Sequence, residues 1–140
     1  MAIQKIGVIG CGLMGSGIAQ VSAQAGFTTV VREVSPNALE KGLGSIYKFL
    51  QAGIDKGKVP QFELDKVKKN LSGTTELKDL ADCDLIVEAA TENLGLKKEL
   101  FGALDSICKP ETIFASNTSN ASARAGAATR IRRPRSRSRS

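Results

Sequence analysis

The 140-residue chain contains no histidine. Among these residues that excludes an imidazole general base, an imidazole metal ligand and any Ser-His-Asp relay. Long hydrophobic runs are also missing. No stretch approaches the ~20 apolar residues of a bilayer span, and the opening residues lack the zones of a signal peptide. Residues 6–9 are apolar, but the run is short and Gly7 interrupts it. A soluble, cytoplasmic protein is therefore expected, with no membrane partner. Cysteine is sparse: Cys11, Cys83 and Cys108 are odd in number, widely spaced and without a CxxC pair. This argues against a disulfide framework and against zinc, and no metal site is expected. The three thiols are expected to be reduced and packed as small apolar groups.

Arginine is nearly absent from most of the chain. Arg32 stands alone in the first 120 residues, whereas seven arginines (124, 130, 132, 133, 135, 137 and 139) fall in the last 20. The formal charge of +6 is thus a property of the tail. Removing those seven from the 20 basic residues leaves 13 against 14 acids, a nearly neutral body. The break divides the chain into a folded domain, residues 1–119, and an Arg/Ser-rich segment, residues 120–140, with too little apolar surface to offset ordering and expected to be disordered. No aromatic residue is interleaved there to stack on bases, which argues against nucleic acid as the partner.

What remains is a strand–helix alternation. Residues 3–9 read as a buried strand, residues 10–15 as a glycine-dense turn, and residues 16–25 as a helix closed by Gly26. A second strand spans residues 28–31. Ser35 suits an N-cap and Pro36 the first helical turn of a long helix with a stripe of Leu39, Leu43, Ile46, Phe49, Leu50 and Ile54. A helix at residues 61–71, strands at 71–74, 84–90 and 112–115, and a helix at 94–107 complete the pattern. Such alternation predicts an α/β fold: a doubly wound, mostly parallel sheet of about five strands with helices on both faces.

Gly10-Cys11-Gly12-Leu13-Met14-Gly15 is a GxGxxG turn. Alone it is a weak signal, but here it follows a strand and opens a helix. Gly10 would permit the tight turn, Gly12 the approach of a pyrophosphate and Gly15 the packing of helix on strand. The helix's first N–H groups would bind the phosphate charge. Glu33 stands 18 residues after Gly15 at the end of the second strand. An acid there can accept hydrogen bonds from the ribose hydroxyls and repels a 2′-phosphate, so NAD is expected over NADP. The adjacent Arg32 pulls weakly the other way.

Three segments carry a family resemblance. Lys5-Ile-Gly-Val-Ile-Gly-Cys-Gly-Leu-Met-Gly-Ser-Gly-Ile-Ala-Gln20, Ala81-Asp-Cys-Asp-Leu-Ile-Val-Glu-Ala-Ala-Thr-Glu-Asn93 and Cys108-Lys-Pro-Glu-Thr-Ile-Phe-Ala-Ser-Asn-Thr-Ser119 resemble, in order, the 3-hydroxyacyl-CoA dehydrogenases, most of all the bacterial 3-hydroxybutyryl-CoA enzymes. The resemblance covers residues 3 to about 119. It implies a Rossmann-type domain and an NAD-dependent oxidoreductase of fatty-acid and butanoate metabolism, interconverting L-3-hydroxyacyl-CoA and 3-oxoacyl-CoA. It also implies cofactor contacts at Gly10, Gly12, Leu13, Met14, Gly15, Glu33, Ala90, Glu92, Lys97, Asn117 and Ser119. Ser119 would touch substrate as well, and Lys56 would lie near the CoA moiety. From the residues alone, Glu92 and Lys97 read as a solvated helix start and the lysines around Lys56 as a solvated hairpin.

After Ser119 the sequence leaves the family's pattern. The family continues to a final strand with the histidine that serves as general base, then to a helical domain that closes the substrate site and forms a dimer. None of this is found in the 140 residues. The expectation is a truncated chain, or a tail translated out of frame, that lacks the last strand and is inactive alone. The rival reading is a nucleotide-binding regulatory protein whose Arg/Ser segment binds nucleic acid.

Overall fold

The computed structural model describes residues 2–89, 94–116 and 129–131. Strand β1, Lys5–Ile9, leads through the glycine turn into helix α1, Leu13–Gln24. Strand β2, Thr28–Arg32, is followed by α2, Pro36–Asp55, and α3, Gln61–Asn70. Strand β3, Leu71–Thr74, precedes a short 3-10 turn, Leu77–Leu80. Strand β4, Leu85–Glu88, helix α4, Leu94–Ile107, strand β5, Ile113–Ser116, and strand β6, Thr129–Ile131, complete the order.

The strands form one sheet in the order β3-β2-β1-β4-β5-β6. The first five are mutually parallel, in the register Gly7↔Val30, Gly7↔Ile86 and Glu88↔Ser116. Because successive side chains of a strand point to opposite faces, each strand feeds two cores. Ile6, Val8 and Val31 pack with Ala19, Ala23, Ile46, Leu50, Leu64 and Val67, under α1 to α3. Ile9, Val30, Ile86 and Phe114 pack with Leu80, Cys83, Leu104 and Cys108, under α4 and the 3-10 turn. Phe101 and Phe114 bring their rings to 5.5 Å within this second core. Both faces are therefore covered, as a parallel sheet requires.

Local signals explain the boundaries. Ser35 Oγ accepts from Ala38 N at 3.2 Å, capping α2 ahead of its first-turn proline. Gly26, at φ 99, terminates α1 in the left-handed region that favours glycine. Helix α1 begins at Leu13 rather than at residue 16, because Gly12 is its N-cap and the second half of the turn is already helical. The strand expected at residues 84–90 is confined to Leu85–Glu88 among the described residues, with Asp84 serving as an anchor below it.

Strand–helix alternation and the family resemblance led to about five strands, and composition to a disordered segment at residues 120–140. Residues 129–131 instead form β6, antiparallel to β5 in the register Phe114↔Ile131, Ala115↔Arg130, Ser116↔Thr129. The physical reason is that β5 would otherwise present a row of unpaired N–H and C=O groups. Any segment with a β-tolerant backbone can satisfy that edge, whatever its apolar content.

Candidate functional site

The site is built where the strand order reverses. Strand β2 lies on one side of β1 and β4 on the other, and the carboxyl ends of these strands flank the crevice in which such sheets bind ligands. The glycine turn sits at this edge. Gly10 adopts φ 97, and its N–H donates to Arg32 O at 2.9 Å, tying the turn to the end of β2. A β-carbon on Gly15 would lie 1.8 Å from Gly10 O, so only glycine lets α1 start this close to β1. Gly12 is different: a β-carbon there would meet nothing within 4 Å. The room above Gly12 is open, and α1 has no side-chain cap on its first turn. Its leading N–H groups have no intrahelical acceptor and are oriented for an anion.

Glu33 closes this arrangement from the β2 side. Its Oε2 accepts from Cys11 N at 2.5 Å, and its Oε1 accepts from Val34 N at 3.3 Å. A carboxylate offers about four lone-pair positions, so capacity remains for two ribose hydroxyls. Arg32 is turned elsewhere, donating Nε–H to Thr75 O at 3.3 Å. An open phosphate cradle, an uncapped helix start and an acid beside them together fit a dinucleotide.

Cys11 is buried between the turn and α2, and a β-carbon on Gly42 would come within 2.3 Å of Cys11 Sγ. Gly42 thus lets α2 press against the back of the turn. Burial pushes the Cys11 thiol up; the hydrogen bond with Ser16 opposes this, and the Glu33 charge adds to the rise. Cys83, likewise free and buried, is pushed up to about 12, mainly by burial. These thiols are packing groups rather than nucleophiles.

A second cluster stands at the ends of β4 and β5. Glu88 is fully buried, and its Oε1 accepts from Ser116 Oγ at 3.1 Å. Ser116 Oγ accepts in turn from Lys97 Nζ at 2.9 Å, and Lys97 Nζ lies 3.5 Å from Glu88 Oε1. Lys97, with its side chain 12% exposed, is no solvated surface lysine. Glu88 and Ser116 were not singled out in the sequence, although a carboxylate inside an apolar strand is a signal in itself, since a buried charge needs a partner.

The structure thus gathers Gly10, Gly12, Gly15 and Glu33 in one cradle, with Lys97 at strand ends on the same edge of the sheet. Met14, in the first turn of α1, is 45% exposed, and Leu13 opens that helix. Lys56 is not gathered there: it is the C-cap of α2, whose 20 residues put it roughly 30 Å along the axis from Ser35. Ala90, Glu92, Asn117 and Ser119 lie outside the described residues. In sequence they follow the ends of β4 and β5. Among the described residues no cluster of His, Cys, Asp and Glu could hold a metal ion, and no helix is long and apolar enough to cross a membrane.

A parallel sheet with a glycine cradle and an acid at its switch point defines a dinucleotide-binding domain. Comparison with known proteins identifies which one. The family described as "3-hydroxyacyl-CoA dehydrogenase, NAD binding domain" matches residues 5–136, so the match continues beyond the composition break. The chain belongs to this family. A probable 3-hydroxybutyryl-CoA dehydrogenase of Deinococcus radiodurans is 49% identical over 116 residues, covering 83% of this chain and 41% of the relative. The crystal structure of M. tuberculosis FadB2 superposes with a TM-score of 0.81 at 42% identity, over 85% of this chain and 42% of the other. That of (S)-3-hydroxybutyryl-CoA dehydrogenase PaaH1 from Ralstonia eutropha gives 0.80 at 36% identity, over 84% and 42%. The chain spans about two-fifths of the length of these relatives. NAD is the cofactor of the family, and its domain here is a Rossmann-type fold.

Proposed function

We propose that these residues hold NAD across the carboxyl edge of the sheet, as the cofactor half of an enzyme that oxidises L-3-hydroxyacyl-CoA, such as 3-hydroxybutyryl-CoA, to the 3-oxoacyl-CoA. The observation that carries this is the coupling of the open Gly12 cradle to the Glu33 carboxylate through Cys11 N. Bound NAD supplies the hydride acceptor. The chain's own residues bind and orient. The N–H groups of the α1 start, with Gly10, Gly12 and Gly15, take the pyrophosphate, and Leu13 and Met14 flank it. Glu33 accepts the adenosine ribose hydroxyls. Lys97, with Ala90, Glu92, Asn117 and Ser119, serves the nicotinamide half, Ser119 also touching substrate. Lys56 serves the CoA moiety from the far end of α2.

The substrate class is supported by the names of the relatives. Oxidation of a 3-hydroxyl also requires a base for its proton, and these 140 residues contain no imidazole. The chain by itself is therefore expected to bind the cofactor without turning over substrate. The dimeric state and cytoplasmic setting of the whole enzyme complete the reading.

A titration with NADH and an assay with NAD and 3-hydroxybutyryl-CoA, run on the same preparation, test it. Saturable binding without turnover is expected. Glu33→Gln should weaken NADH about tenfold, the loss of one good charged hydrogen bond. Unchanged affinity in that variant, or turnover by the chain alone, would overturn the assignment.

A further inference from the structure

We propose that Glu88 and Ser116 are positioning residues for cofactor binding, fixing the Lys97 ammonium above the ends of β4 and β5 so that it meets acceptor oxygens on the nicotinamide half. This rests on the reading of Lys97 as a cofactor contact. The geometry is specific. Glu88 and Ser116 are register partners on adjacent parallel strands, each the last residue of its strand. Ser116 donates to Glu88 Oε1 and accepts from Lys97 Nζ, so one hydroxyl bridges anion and cation. Lys97 sits in the first turn of α4, where the helix dipole disfavours a cation. A carboxylate 3.5 Å away offsets this.

A buried ion pair can usually be replaced by apolar groups without loss, whereas removing one partner is costly. Among the described residues a second ion pair with a buried carboxylate, Asp84 with Lys109, lies at the opposite edge of the sheet, and Asp84 accepts from the backbone N–H groups of Gln4 and Lys5. The Glu88 cluster stands instead at the edge where a dinucleotide crosses the sheet. Its members gain a role if the ammonium must be held in one place.

The test is a set of NADH titrations on the full chain, with far-UV circular dichroism to confirm folding. Glu88→Gln and Lys97→Met should each weaken NADH roughly tenfold, and the double variant should bind no more weakly than Lys97→Met alone. Ser116→Thr should bind close to the parent, and its near-isostere Ser116→Val should fall to the level of Glu88→Gln. The serine pair keeps both charges and decides the question even if Lys97→Met fails to fold. Additive losses in the double variant, or equal affinities for the threonine and valine variants, would overturn the proposal. A weak Lys97→Met with an unaffected Glu88→Gln would overturn the positioning role alone. A Lys97→Met that binds like the parent would overturn the reading of Lys97 and this proposal with it.

Discussion

At Gly15 a β-carbon would collide with a backbone carbonyl 1.8 Å away, whereas at Gly12 it would enter open space. Two alanine substitutions should therefore part company. Gly12→Ala should leave the thermal midpoint within a degree or two and weaken NADH about tenfold, by filling the room a phosphate needs. Gly15→Ala should lower both, because α1 must move away from β1. Parallel melting curves and NADH titrations check this, and equal effects at the two positions would contradict it. Their places in the motif already give these glycines different expected roles, phosphate approach and helix packing; the structure adds the space around each. Glu33 was legible because its spacing from the turn reports a strand end. Glu88 and Ser116 were not, because their pairing depends on register between β4 and β5, which no local pattern carries. Gly42 escaped for the same reason: its reason for being glycine is Cys11, reached across the fold.

At the scale of elements, local chemistry was the better guide. The Ser35-Pro36 start of α2 and the Gly26 end of α1 stand where capping preferences place them. Removing the Ser35 cap should be measurable: Ser35→Ala is expected to cost about 1 kcal/mol and lower the melting midpoint by roughly 4 °C. A midpoint unchanged in a calorimetric scan would mean that packing of Ile46 and Leu50, not the cap, sets the stability of α2. Strand β6 marks the limit of local reading. Its three residues carry no pattern that announces a strand, and the edge of β5 gives them one. The apolar content of the central strands, by contrast, was visible in the sequence, and the alternation of their side chains between the two faces divides the interior into two cores.

At the scale of the whole molecule, the two edges of the sheet do different work. The amino edge is an anchor. There the hydrogen bond from Lys109, followed by those from the N–H groups of Gln4 and Lys5, holds the Asp84 carboxyl at about 2, below its ordinary 3.8, against an opposing effect of burial. A folded value below the unfolded one means that the stabilisation is present above pH 3.8 and is lost as the pH falls towards 2. Acid denaturation should therefore show a component in that window. Asp84→Asn should be less stable at neutral pH and lose less of its stability on acidification. A parallel shift of the whole curve would contradict the assignment.

The carboxyl edge is the one proposed to bind the cofactor: the glycine cradle, Glu33 and the Glu88–Ser116–Lys97 cluster all stand at that end of the sheet. The measurement that bears most directly on this is a fluorescence titration of the full chain with NADH and with NADPH. Saturable NADH binding with clearly weaker NADPH binding is the predicted result, since the proposed role of Glu33 is to accept from ribose hydroxyls, where a phosphate would be repelled. Equal affinity for the two, or no saturable binding of either by a folded chain, would contradict the account.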